Sequence, residues 1–277
     1  MNNLLCEISH DPYLFQVNYF THSGWIGHAP FLKFLIREQR PKVFVELGVH
    51  NGFSYFVGCQ AIVECQLESK AYAVDHWLGD EQAGFFNDEV FEVVKNVNTK
   101  FESFSSLLKM DFSKALESFH ENQIDLLHID GFHSYESVKN DFYSWVSKMS
   151  PNGVIILHDI YVHRKGFGVN QFWKEIRTQY KTMEFVGTHG LGGIFMGIVP
   201  EGKLLDLFKI SDDGYMSDIQ GAFGSISDDV LQNSQSHFTD SALAERDSAL
   251  AERDSVLKSS TWILFGPYRK LKEKLLN

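Results

Sequence analysis

The chain has 277 residues, 44% apolar and 22% charged, which fits one sizeable α/β domain with an appendage or two small domains. A formal net charge of −11 argues against a nucleic-acid-binding surface. The three cysteines, Cys6, Cys59 and Cys65, have no C-x-x-C spacing and read as buried thiols in a reducing compartment.

At the start, "MNNLLCEISHDPY" lacks the basic head and apolar core of a signal peptide, and no later run approaches the ~20 apolar residues that span a bilayer. A cytoplasmic location is therefore expected. Short apolar runs then alternate with amphipathic stretches. Strands are predicted at 43–47, 71–75, 124–129 and 153–158, each nearly continuous in apolar residues, as strands covered on both faces should be. Helices are predicted over 53–66, 88–101 and 134–149. In the last, Tyr135, Val138, Phe142 and Trp145 recur at helical spacing. This alternation predicts a doubly wound, Rossmann-like α/β sheet, mostly parallel. Two further runs, 184–189 and 193–199, are separated only by Gly190, Leu191 and Gly192, too short for a parallel crossover, so a reversed last strand is expected. That closure is the architecture of class I methyltransferases.

Beyond Pro200 the composition shifts, and 201–240 is expected to be a linker or partly ordered segment. Within 241–277 "SALAERD" occurs twice, with leucines every seven residues at Leu243, Leu250, Leu257, Leu264 and Leu271. The second seam position is polar, so this helical tail reads as a weak coiled coil. Its basic amphipathic end, Trp262 to Lys274, suits a membrane surface, a homo-oligomer contact or packing on its own domain. Residues 1–200 remain as the catalytic domain.

The stretch "VFVELGVHNGFSYF" ends a strand in Glu46 and turns through Gly48 and Gly52 into a helix near Ser54. Glycines there let backbone approach a ligand beyond the strand ends. Asp75 ends the next strand, where an acid can accept both ribose hydroxyls, and Trp77 is placed to stack on an adenine. Acids occupy positions where a pyrophosphate binder would need donors, so S-adenosylmethionine is the expected cofactor. Asp130, His158 and Asp159 end adjacent strands and should converge near the transferring methyl. They are candidate ligands for a divalent cation, Mg²⁺ or Mn²⁺, the imidazole favouring softer metals than Mg²⁺. The alternative is that both acids bond backbone amides. Asp130, His133 and His158 are the candidate catalytic residues, His133 being the first choice of base and His158 the second. Ser134 would cap the following helix. His128, inside a strand, is expected to be a core histidine. Trp25, His28, Phe31 and Phe34 are weighed as a substrate lid.

"WIGHAPFLKFLI", "VFVELGVHNGFSY", "YAVDHWLGDEQAGFF", "IDLLHIDGFHSYESVKNDFYSWVSKMSPNGVIILHD", "FGVNQFWKEI" and "GTHGLGGIFMGIV" occur in that order. Over roughly 25–199 the chain resembles class I S-adenosylmethionine-dependent methyltransferases of bacterial O-antigen and polysaccharide biosynthesis clusters. The "ERD" repeats followed by "SSTWILFGPYRKL" resemble tails on proteins of those clusters. The resemblance implies that Glu46, Gly48, Gly52, Ser54 and Asp75 hold S-adenosylmethionine, with Asp111 as an adenine neighbour; His76, Trp77 and Asp130 are further candidates for the cofactor site. It also implies a sugar or glycan acceptor and carboxylate metal ligands at the strand ends; peripheral contact with the inner face of the cytoplasmic membrane through the tail is one option for location. A small phenolic acceptor and a non-catalytic scaffold are the alternatives.

Overall fold

A computed structural model describes residues 2–82, 84–212 and 214–258. In chain order the elements are α1 (Asn2–Ser9), α2 (Pro12–Phe15), α3 (Ala29–Gln39), β1 (Val43–Leu47), α4 (Phe53–Glu64), β2 (Lys70–Asp75), β3 (Gly79–Asp80), β4 (Gly84–Phe85), α5 (Asp88–Asn98) and β5 (Ser105–Lys109). They continue with α6 (Phe112–Ala115), β6 (Ile124–Ile129), α7 (Tyr135–Trp145), β7 (Met149–His158), α8 (Val169–Ile176), β8 (Lys181–Phe185), β9 (Leu191–Phe195), α9 (Lys203–Asp212) and α10 (Met216–Lys258).

Seven strands form one sheet in the order β5-β2-β1-β6-β7-β9-β8. The β1, β2, β5, β6 and β7 pairings are parallel, and β9 runs antiparallel to both β7 and β8. This is the expected doubly wound sheet with a reversed last strand. Helices cover both faces, which is why β1 and β6 are apolar almost throughout. Under one face, Val138, Phe142 and Trp145 of α7 meet Phe172, Trp173 and Ile176 of α8, all buried with Leu127, Ile155 and Ile194 of the sheet. Ser134 caps α7 as expected, its side chain accepting from Ser137 N at 3.1 Å.

Two segments depart from expectation. Ser105–Lys109 is an edge strand in a stretch too polar to announce one. Residues 203–212 and 216–258 are helical rather than a linker. Leu204, Leu207, Ile210, Ile219, Phe223, Ile226 and Val230 are buried at helical spacing among the Ser, Asp and Gly that dominate the composition. Phe223 packs its ring against Phe31, Phe34 and Phe185. The compact unit thus runs to Leu231, not to 200. The second unit begins at Gln232 and is helical through Lys258, with Leu243 and Leu250 exposed. Leu257, Leu264, Leu271 and the basic end, Trp262 to Lys274, lie outside what the structure describes of side chains or of chain. Among the described residues no helix is long and apolar enough to cross a membrane.

Candidate active site

The turn after β1 is built as its glycines require. Gly48 and Gly52 hold φ of 85° and 81°, and a Cβ on Gly48 would run into the Asp130 carbonyl. Asp75 clamps this turn from β2. Its Oδ2 accepts from the amides of Val49 and His50, both at 2.9 Å, and its Oδ1 from Trp77 N at 2.7 Å. Asp75 still lines the cavity above the turn, as do Gly48, Gly52, Ser54, His76, Asp111 and Asp130.

Glu46 and Trp77 do not line it, contrary to expectation. Glu46 is fully buried, and its oxygens face the Ser54 hydroxyl at 2.8 Å and His128 Nδ1 at 2.9 Å. Trp25 Nε1–H can only donate, so His128 Nε2, 3.0 Å away, accepts. The His128 proton therefore sits on Nδ1, toward Glu46. This buried relay supports the floor of the site, and burial raises the pKa of the Glu46 carboxyl. Trp77 is 1% exposed; its indole donates to His50 O at 2.9 Å and packs on Phe91, leaving no face for an adenine. Trp25, His28, Phe31 and Phe34 are likewise buried and form no lid.

At the ends of β6 and β7 the expected convergence is present with an altered membership. His133 Nε2 lies 2.8 Å from Asp159 Oδ2 and 3.4 Å from Asp130 Oδ1. His158 Nδ1 lies 3.4 Å from Asp130 Oδ1 and 3.6 Å from Asp159 Oδ1, while its Nε2 donates to Thr188 O at 3.0 Å. His189 Nδ1 is 3.2 Å from Asp159 Oδ1. Asp159 itself holds a φ of 61°, a left-handed conformation at the strand end.

Burial disfavours charge on His133, but its bonds to Asp130 and Asp159 prevail and raise its pKa to about 10. His158 is raised in the same way, burial opposing and Asp130 prevailing. Burial pushes the Asp130 carboxyl up, yet the facing His158 and His133 hold it well below the usual range. Facing these two carboxylates, His133 holds a proton more tightly than a free imidazole does.

Beside the expected trio of Asp130, His158 and Asp159, two further groupings of donors stand close together. The close-set donors are Asp130, His133 and Asp159, with a second grouping of His158, Asp159 and His189; in each, the donor atoms lie within 4.8 Å of one another. Two carboxylate oxygens and an imidazole nitrogen at that spacing suit a divalent cation of intermediate hardness.

The cavity over these residues measures about 860 Å³. Six aspartates line it (75, 80, 111, 130, 141 and 159), with six of the chain's twelve histidines and, among the described residues, neither lysine nor arginine. His22, Ser23 and Gly24 form one wall, and His50 stacks on Phe86 at another. Sequence reasoning missed these; only the φ-permissive turn around His50 gave any signal.

Residues 45–160 match the family described as "Methyltransferase domain". Over 185 residues, 66% of this chain, the chain is 43% identical to "Uncharacterized protein y4gI" of Sinorhizobium fredii, and it spans only a fifth of that relative's length. A "putative caffeoyl-CoA O-methyltransferase" from Staphylococcus aureus superposes with a TM-score of 0.50 at 14% identity, covering 65% of this chain and 86% of that one. The O-methyltransferase TomG from Streptomyces achromogenes gives 0.48 at 13% identity, covering 71% and 91%. Residues 45–160 thus match a methyltransferase-domain family model, within a seven-stranded sheet of order β5-β2-β1-β6-β7-β9-β8.

Proposed function

We propose that the protein is an S-adenosylmethionine-dependent O-methyltransferase acting on a sugar hydroxyl of a bacterial glycan or its precursor, assisted by a divalent cation. The observation that carries this reading is the charge of the cavity: six aspartates and no lysine or arginine among the described lining residues. Such a lining suits a nucleoside bearing a sulfonium and an ammonium, and it repels a pyrophosphate. Gly48 and Gly52 admit the backbone close to the nucleoside, with Asp75, His76 and Asp111 along the same cavity. Asp and His side chains at the mouth also match a polyol, whose hydroxyls both donate and accept.

When bound, S-adenosylmethionine supplies the methyl group that passes in line to the acceptor oxygen. A divalent cation held by Asp130, His133 and Asp159 would acidify the ligated hydroxyl. The chain's own part is to orient the acceptor between those groups and His189, the acidified hydroxyl giving its proton to solvent at the cavity mouth. Positioning of this kind supplies much of the rate in two-substrate reactions. The exposed Leu243 and Leu250 are consistent with a homo-oligomer or membrane role for the tail; deletion of 241–277 should change sedimentation or vesicle binding and leave nucleoside affinity intact.

The test is calorimetric titration with S-adenosylmethionine, S-adenosylhomocysteine and NAD⁺, followed by transfer of a labelled methyl to glycan extracts with and without EDTA. Binding of the first two alone, and label in a sugar lost with EDTA, is expected. Binding of NAD⁺ in their place would overturn the reading.

A further inference from the structure

Behind His133 stands a residue that no part of the proposed reaction uses. Gln82 sits on the turn of the β3–β4 hairpin, where Gly79 pairs with Phe85 and Asp80 with Gly84. Its backbone amide donates to Asp80 Oδ1 at 2.6 Å, an Asx-type bond within the turn. The side-chain amide then bridges two loops from other strands. Oε1 accepts from His133 N at 3.0 Å and faces His133 Nδ1 at 2.9 Å, and Nε2 donates to Gly166 O at 3.1 Å.

The orientation of this amide is fixed by chemistry at both ends. A backbone N–H only donates and a carbonyl only accepts, so the oxygen must face His133 and the nitrogen Gly166. An oxygen facing Nδ1 requires the proton there, which leaves Nε2 as the nitrogen presented to Asp130 and Asp159. The Asp159 and Asp130 carboxylates, 2.8 and 3.4 Å from Nε2, favour the same ring orientation from the far side, whereas the remaining contacts do not make that choice. Phe167 stacks on the ring at 4.7 Å with an interplanar angle of 10°, and the His133 carbonyl accepts from Gly168 N at 2.7 Å. A half-turn of the ring would keep the stack and the backbone bond, and would place carbon where Nε2 now meets the carboxylates.

We propose that Gln82 is a positioning residue that locks His133 with Nδ1–H turned inward and Nε2 turned to the acid pair, tying acceptor-side geometry to the seating of the β3–β4 hairpin. The proposal rests on the reading of the Asp130–His133–Asp159 cluster as the acceptor side. Outer partners of this type commonly alter ligand affinity at a donor cluster by 10- to 100-fold.

The experiment uses the full chain with ¹⁵N-labelled histidine and long-range ¹H–¹⁵N spectra, the His133 signals being identified by their loss in His133→Asn. Wild type should show a slowly exchanging, downfield Nδ1–H. It should vanish or broaden in Gln82→Ala and persist in Gln82→Glu, which keeps the accepting oxygen and loses the donor to Gly166. Mn²⁺ titration should weaken about tenfold or more in Gln82→Ala, with S-adenosylhomocysteine affinity equal in all three. An unchanged Nδ1–H in Gln82→Ala, or none in wild type, would overturn the proposal. A wild type that binds no S-adenosylhomocysteine would instead sink the methyl-transfer reading and leave the spectral result on Gln82 standing.

Discussion

His133 Nε2 and Asp159 Oδ2, brought from the ends of neighbouring strands, stand 2.8 Å apart. The folded-state pKa of His133 is raised to about 10 against an ordinary 6.5. The stability this pairing contributes is therefore complete below pH 6.5 and lost as pH climbs toward 10. With chelator present, the urea unfolding free energy should fall across that window, and His133→Gln should flatten the fall. A flat wild-type profile between pH 7 and 10 would refute the pairing.

His28 carries the opposite dependence. Burial first, and the nearby His158 second, lower its pKa to about 3. A buried neutral imidazole contributes stability above pH 6.5 and loses it as the unfolded chain takes up protons below. At pH 5 the loss is about 2 kcal/mol. His28→Gln should reduce the acid-side slope of a thermal-melt series without altering the alkaline limb.

Under the site, His128→Ala would leave the Glu46 carboxylate buried without its partner at 2.9 Å. Leaving a buried polar group without its partner costs about 1–3 kcal/mol. Adding Glu46→Gln to that variant should recover part of the loss, a coupling that a double-mutant cycle in urea reads directly. Strict additivity would mean the two groups do not interact.

Gly48→Ala should cost more than the ~1 kcal/mol typical of a misplaced Cβ, because its Cβ meets the Asp130 carbonyl as well as a φ of 85°. Nucleoside affinity should fall with it. Calorimetry showing wild-type S-adenosylhomocysteine binding in a folded Gly48→Ala protein would contradict the close approach.

Trp77→Phe separates packing from recognition. The indole is buried against Phe91 and bonded to His50 O, so a loss of about 1–2 kcal/mol in stability is expected with nucleoside affinity within a few-fold of wild type. A tenfold affinity loss at unchanged stability would restore the ring to the binding face.

Chain topology and the strand-end acids were legible in the sequence because they follow from local pattern. Continuous apolar runs mark doubly covered strands, and a three-residue link between runs forces an antiparallel return. What sequence could not supply was which partner each group finds. Glu46 and Asp75 both end strands; only packing sends Glu46 down to His128 and leaves Asp75 beside the cavity. His133 follows Asp130 by three residues, yet its protonation depends on Asp159, which lies on another strand. Residues 203–231 read as linker because Ser, Asp and Gly are as frequent there as apolar residues, though Ile219, Phe223, Ile226 and Val230 lie at helical spacing and are buried. Gln82 had no signal at all, since its role is a pair of long-range bonds from a turn.

The cavity wall is drawn from places far apart along the chain, from His22–Gly24 to His189. A fragment trimmed to the matched segment, 45–160, would lack both ends of that wall and the Trp25 indole beneath it. The residues that line it span 22–189, and the compact unit that carries them also needs β9 and the helical residues through Leu231, where Phe223 packs on Phe31 and Phe185. Any dissection of this protein has to respect the reach of its binding chamber rather than the limits of its recognisable motif.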